Sequence, residues 1–237
     1  MNIKVRRASH RGTAEHGWLH AKFSFSFANY HDPEHCGFHS LIVMNNDIIE
    51  PGGGFPNHPH KAAEIFTYVI SGELEHRDSM GNRSIIRAGN LQYMSAGSGV
   101  THSECNPSKQ NRTELYQIWM LPNKLDGEPF YAEKDLADTN YKTGWTLLFS
   151  GNGAKGSTVI RQNAQFWFGR GQANNSLTIE PDHLLPNAWI QVISGSDHTQ
   201  NYSLNKADGL GIDELEKSIT LTFSEPSTFF LFRLAPL

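Results

Sequence analysis

Ile65-Phe-Thr-Tyr-Val-Ile-Ser-Gly72 is a β-branched and aromatic run ending in glycine, and its last four residues return at Val192-Ile-Ser-Gly195. A run of this kind reads as a strand feeding a turn. Its recurrence reads as a duplicated β unit. Each copy is preceded by Ile-Glu-Pro, at residues 49–51 and 179–181, and followed by a small-residue turn, Ala88-Gly89 and then Asp208-Gly209. The copies differ in length: eighteen positions separate Pro51 from Val69, whereas eleven separate Pro181 from Val192. The longer copy contains His58-Pro59-His60. On this alignment the first half carries the chemistry and the second is a barrel without it.

Outward from the repeat, short apolar or alternating runs continue along the whole chain. They occupy residues 23–27, 41–44, 65–70, 91–94, 115–121, 145–149, 166–168, 189–193, 219–223 and 228–234, divided by Gly, Pro and Asn. Helical periodicity is scarce: residues 213–218 read as one helical turn and residues 130–138 as irregular. The pattern predicts an all-β chain of two barrels. The polar connection over residues 123–144 predicts an N-terminal barrel over 1–130 and a C-terminal barrel over 131–237. A length of 237 residues allows two such units.

The formal charge of −4 supplies no basic field, which argues against direct contact with a nucleic-acid backbone. Two cysteines, Cys36 and Cys105, and a polar N-terminus predict a cytoplasmic protein without a disulfide framework. No apolar stretch is long enough for a spanning helix, so no membrane role is expected. Twelve histidines are many for this charge balance, and imidazole is the commonest metal ligand.

His58 and His60 are two residues apart, so in a strand both project from one face. His102 and Glu104 repeat that spacing. Two strands, each offering two inward ligands, place three nitrogens and one oxygen around a point inside the barrel. Pro59 fits an edge strand, where a missing N–H costs little. Such a set suits one divalent transition metal, Fe(2+) first, with Zn, Mn, Co, Ni or Cu also able to bind.

Two motifs resemble those of cupins. Gly52, His58-Pro59-His60 and Glu64 resemble the first; Gly89, Ser95-Ala96-Gly97, His102 and Asn106 resemble the second. The departures are one extra residue between Glu64 and Gly72, Ser95 in place of the usual proline, and His102 two positions late. These departures resemble the pirin family, as do Gly17-Trp18-Leu19, residues 25–33 (Phe-Ser-Phe-Ala-Asn-Tyr-His-Asp-Pro), Asp78-Ser-Met-Gly-Asn82 and Tyr116-Gln-Ile-Trp119. The resemblance implies two cupin barrels and a metal held by His58, His60, His102 and Glu104, with no ligand role for Glu64. Glu64 is then either a hydrogen-bond support to a ligand histidine or a solvated rim carboxylate.

It further implies a quercetin 2,3-dioxygenase, which opens the flavonol ring with dioxygen and releases carbon monoxide, with Glu104 as general base. Substrates would be a polyphenol and O2. Phe55, Phe66, Met94 and Trp119 are candidate walls of an apolar slot. The alternative function is a redox-sensing regulator that binds a transcription or metabolic protein in a metal-dependent way. A third reading, a sugar-binding cupin, has only Lys61 and Asn106 near the site in sequence. Cys105 is expected to pack as a small hydrophobe. His31, His35, His39, His76, His183 and His198 are left outside the site.

Overall fold

The structure is a computed structural model and describes residues 1–137, 143–199 and 201–236. In chain order its strands are β1 Asn2–Arg6, β2 Gly12–Glu15, β3 Leu19–Phe23, β4 Leu41–Ile49, β5 Gly54–His60, β6 Glu64–Ser71, β7 Glu73–Asp78, β8 Arg83–Arg87, β9 Asn90–Ser95, β10 Val100–Cys105 and β11 Thr113–Met120. They continue as β12 Phe130–Asp135, β13 Gly144–Ser150, β14 Thr158–Val159, β15 Ala164–Gly171, β16 Ser176–Ile179, β17 Asn187–Ser194, β18 Ser196–His198, β19 Ser203–Asn205, β20 Gly209–Asp213, β21 Ile219–Phe223 and β22 Ser227–Leu234. Among the described residues the only helical elements are two 3-10 turns, Ala8–His10 and Ala154–Gly156. The all-β, two-cupin expectation matches this architecture.

The chain divides into two compact units. One comprises Gly12–Gly37 and Leu41–Asp138; the other comprises Met1–Arg11, Phe38–Ser40 and Thr139–Leu237. The first unit has a seven-stranded sheet, β12-β9-β6-β11-β4-β3-β2, and a four-stranded sheet, β5-β10-β7-β8. The second repeats both, as β1-β20-β17-β22-β15-β13-β14 and β16-β21-β18-β19. Each core is built from both of its sheets. In the first, Leu19, Ile49, Val69 and Leu115 of the large sheet meet Leu74 and Ile86 of the small one. In the second, Ile190, Val192, Leu210 and Phe229 meet Ile179, Leu204 and Leu221.

The repeated tetrapeptide closes equivalent turns, β6 to β7 and β17 to β18. Gly72 and Gly195 share φ +76°, where a side chain is strained. A Cβ there would also stand 2.6 Å from the carbonyl oxygen of Arg112 or Pro226 respectively.

The division differs from the boundary expected at residues 130 and 131. β12 pairs with β9 from Phe130↔Ser95 to Asp135↔Asn90, so this segment is an edge strand of the first unit rather than irregular chain. β1 pairs with β20, Val5 opposite Leu210, so the first residues complete the second unit's large sheet. Both are edge strands, half exposed, whose alternation is too weak to name a partner sheet. Residues 213–218 are no helical turn: β20 ends at Asp213 and the chain runs irregularly to β21. The run at residues 23–27 is a strand only as far as Phe23.

The Ile-Glu-Pro segments are not equivalent either. The first follows β4 and precedes β5, whereas the second follows β16, the topological counterpart of β5. The second unit has therefore kept the strand that carries His58 and His60 in the first, with other residues on it.

Candidate metal centre

β5 and β10 run antiparallel with His58 directly opposite His102, and a bulge between His102 and Glu104 brings Phe55 opposite Glu104. The alternation of β5 turns His58 and His60 to the same side. The rings of His58, His60 and His102 form a near-equilateral triangle with centroids 4.5–4.8 Å apart. One ring nitrogen from each lies within 4.8 Å of the other two.

Their protonation follows from their surroundings. His58 Nδ1 is 2.7 Å from the Pro56 carbonyl, which only accepts, so Nδ1 carries the proton and Nε2 keeps its lone pair. That Nε2 faces His102 Nε2 at 3.0 Å, while His102 Nδ1 is buried with no hydrogen-bond partner. Burial, and secondarily the other imidazoles, push His102 down to about 2. His60 is pushed down to about 4, by burial first and by His58 second. His60 and His102 are therefore neutral at physiological pH, and His58 turns the lone pair of its Nε2 toward His102. A divalent transition metal fits three ring nitrogens gathered this closely, because imidazole is a preferred ligand of such ions.

Glu104 is 2% exposed. Thr67 Oγ1 donates to one carboxylate oxygen at 3.1 Å and Gln117 Nε2 to the other at 2.5 Å. Burial raises it to about 7, against the lowering effect of these two donors. It lines the same cavity as the three histidines, but it groups with His102 and His76 rather than with His58 and His60.

His76 is the residue that the sequence reading left out. Fully buried on β7, opposite Glu104, it has Nδ1 3.1 Å from Gln92 Nε2 and Nε2 3.1 Å from Asp78 Oδ2. Both nitrogens are occupied, so His76 is a support packed 5.3 Å from the His102 ring rather than a lone pair on offer. Asp78 is fixed in turn by the Met80 and Asn82 backbone N–H groups and the Asn82 amide. That places the Asp78-to-Asn82 motif beneath the site. The available signal was His76-Arg77-Asp78, a further pair at i, i+2.

Glu64 fits neither of its expected roles. Its neighbour Ile65 lines the cavity, so Glu64 faces the other side of β6, 1% exposed, and accepts from the Tyr93 hydroxyl and from Ser95 Oγ at 2.6 Å. Cys105 is half-buried and turned to Glu75.

The cavity holds about 220 Å³. Phe55 and Trp119 line it as expected. Phe66 and Met94 do not: Phe66 stacks on Tyr93 and Met94 packs against Ile65 and Val100. Besides His102 Nδ1, the buried polar atoms Asn45 Oδ1, Gln117 Oε1 and Trp119 Nε1 on its lining have no hydrogen-bond partner. Asn45 and Gln117 face each other across β4 and β11.

Two jelly-roll units, one with a histidine-lined cavity at the mouth and one without, define a bicupin. Comparison with known proteins gives the family. The Pirin family model matches residues 3–120, and that of the quercetinase C-terminal cupin domain matches residues 147–234. The chain is 39% identical over 234 residues to the quercetin 2,3-dioxygenase of Escherichia coli K12, covering 99% of each. It is 36% identical to a pirin-like protein of Caulobacter vibrioides, covering 93% of this chain and 94% of that one. The crystal structure of the Escherichia coli bacterial pirin YhhW in complex with nickel(II) matches with a TM-score of 0.93 at 38% identity, covering 100% of both chains. The chain belongs to the pirin family.

Proposed function

We propose that the chain is a metal-dependent dioxygenase of the quercetin 2,3-dioxygenase type, with its chemistry confined to the unit that carries His58, His60, His102 and Glu104. The observation that carries this reading is the cluster of three imidazoles, with Glu104 beside them, inside a cavity of about 220 Å³. The full-length likeness to a protein of that activity, and to a pirin crystallised with nickel(II), supports it.

His58, His60 and His102 would hold one divalent metal through ring nitrogens, with Glu104 as the carboxylate ligand and iron(II) the expected ion. When bound, the metal would lower the pKa of a coordinated flavonol hydroxyl and stabilise its anion. The Pro56 carbonyl fixes the tautomer of His58, and His76, held by Asp78 and Gln92, buttresses the His102 ring. Glu104 takes the phenolic proton, and the Thr67 and Gln117 donors keep its oxygens in place before and after. Asn45, Gln117 and Trp119 offer the unspent acceptors and donor that orient the hydroxyl groups of a polyphenol. Phe55 and the Trp119 ring, edge-on to His60 at 4.9 Å, form the apolar walls that exclude water.

The test is anaerobic loading with iron(II), then addition of oxygen and quercetin, following loss of the flavonol absorbance beside a His58→Ala, His60→Ala variant. Turnover in the parent and none in the variant is the expected result. Metal retained without turnover of any flavonol would overturn it in favour of a metal-dependent binder of a protein partner.

A further inference from the structure

The second unit has a cavity at the same place in its barrel. In the first unit Val43 lies opposite Trp119 and Asn45 opposite Gln117 on β4 and β11, all four lining the site. Taking the strand next to the repeated turn as reference, β22 corresponds to β11, with Phe229↔Val192 matching Leu115↔Val69. Gln165 opposite Arg233 and Trp167 opposite Leu231 then occupy the four equivalent positions on β15 and β22. All four line a cavity of about 360 Å³, larger than the histidine-lined one.

Its lining is of a different chemistry. The Trp145 indole N–H is spent on the Thr178 carbonyl and that of Trp167 on Gln165 Oε1, so both side chains offer ring surface and no donor. Arg233 is 4% exposed. Its Nε and Nη2 donate to the Leu185 carbonyl and its Nη1 to the Glu180 carbonyl. One N–H on each terminal nitrogen is left over, and no carboxylate among the described residues is in ion-pair contact with it. The direct contacts of this buried guanidinium are carbonyls, which leave its two spare N–H groups for an anion. Asp182, on the same lining, acts on Arg233 through its charge without an ion-pair contact, and its Oδ1 accepts from the Leu184 and Leu185 backbone N–H groups. The Glu180 side chain, also on the lining, is exposed to solvent, where its charge is screened. A second cation stands at the rim: Lys155, in a left-handed conformation at φ +54°, holds its ammonium 4.9 Å from the centre of the Trp167 ring.

We propose that this cavity is a second small-molecule site, for a planar aromatic carboxylate whose ring lies against Trp145 and Trp167 and whose anionic group is met by Arg233 and Lys155. The volume suits one or two fused rings. The inference is independent of the chemistry assigned to the first unit.

The test uses the full chain and 2-naphthoate, which has no adjacent hydroxyls to chelate a metal. NMR of the indole N–H groups of the five tryptophans follows the titration. Signals of Trp145 and Trp167 should shift saturably while that of Trp119 stays fixed. Neutral 2-naphthalenemethanol should bind about tenfold more weakly or worse, and Lys155→Gln, at an exposed position, should weaken naphthoate about tenfold. Arg233→Gln should weaken it further. His58→Ala should leave the affinity unchanged. The proposal is overturned if Trp119 shifts in place of Trp145 and Trp167, if no signal saturates, or if the neutral alcohol binds as tightly as the carboxylate.

Discussion

The two barrels share a strand order and a turn, and they differ at the positions that face the cavity. When the units are aligned on Gly72 and Gly195, Leu221 stands where Glu104 does and Ile219 where His102 does, while Ile179, opposite Ile219, takes the place of His58. The proposed metal site thus occupies positions of a framework that both units share rather than an insertion into it. One interior supports buried polar groups by chained hydrogen bonds, from Asn82 through Asp78, His76 and Gln92 and from Thr67 and Gln117 to Glu104. The other fills the same positions with aliphatic side chains that need no partners, and its apolar core extends through them.

The exception in the second interior is Asp197, at the position of Leu74. Asp197 is fully buried, neither carboxylate oxygen has a hydrogen-bond partner, and burial pushes it up to about 7.

The sharpest break in the comparison comes from removing a proposed ligand. His102→Ala should weaken metal binding by more than about 100-fold, beyond the range for losing a supporting residue, and equilibrium dialysis against a competing chelator measures it. Ile219→Ala, its counterpart, should leave metal content unchanged. His76→Leu, which removes a support and keeps the ligands, should cost about 10- to 100-fold in metal affinity with the fold retained. An unchanged affinity would reduce His76 to core packing.

The shared framework is tested at its turns. Gly72→Ala and Gly195→Ala should each destabilise their own barrel by up to about 3 kcal/mol in urea unfolding, because both glycines have φ +76° and a backbone oxygen in the way. A large difference between the two would break the equivalence.

The smallest effect concerns Asp197. Its folded pKa, about 7, lies above the value of about 4 that it has in an unfolded chain, so the folded state binds the extra proton between those values. Stability from this group is complete below about pH 4 and is lost as pH rises to about 7. Asp197→Leu should flatten that slope and stabilise the second unit by about 2 kcal/mol at pH 8. A slope unchanged in the variant would mean that another group titrates.

Most of this comparison was legible in the sequence where signals are local. Val-Ile-Ser-Gly fixed the duplication because a strand and its glycine turn are adjacent in the chain. His58, His60, His102 and Glu104 were visible because a strand repeats every two residues, and three of the four meet in one triangle. What failed depended on which strands pair. His76 matters because β7 lies beside β10, a long-range pairing that spacing does not encode. β1 and β12 are edge strands whose half-buried residues leave little pattern, and so each was assigned to the wrong barrel. The Ile-Glu-Pro match was chemically similar but topologically displaced. It made the second barrel look shortened, when it had kept its counterpart of β5 and changed the residues on it.

The most direct measurement of the central claim is metal stoichiometry by mass spectrometry after anaerobic loading with iron(II) and removal of excess ion, for the parent chain and for His58→Ala, His60→Ala. One ion per chain in the parent and none in the variant is the predicted result. Two ions per parent chain, or one retained by the variant, would contradict the assignment of the chemistry to the first barrel alone.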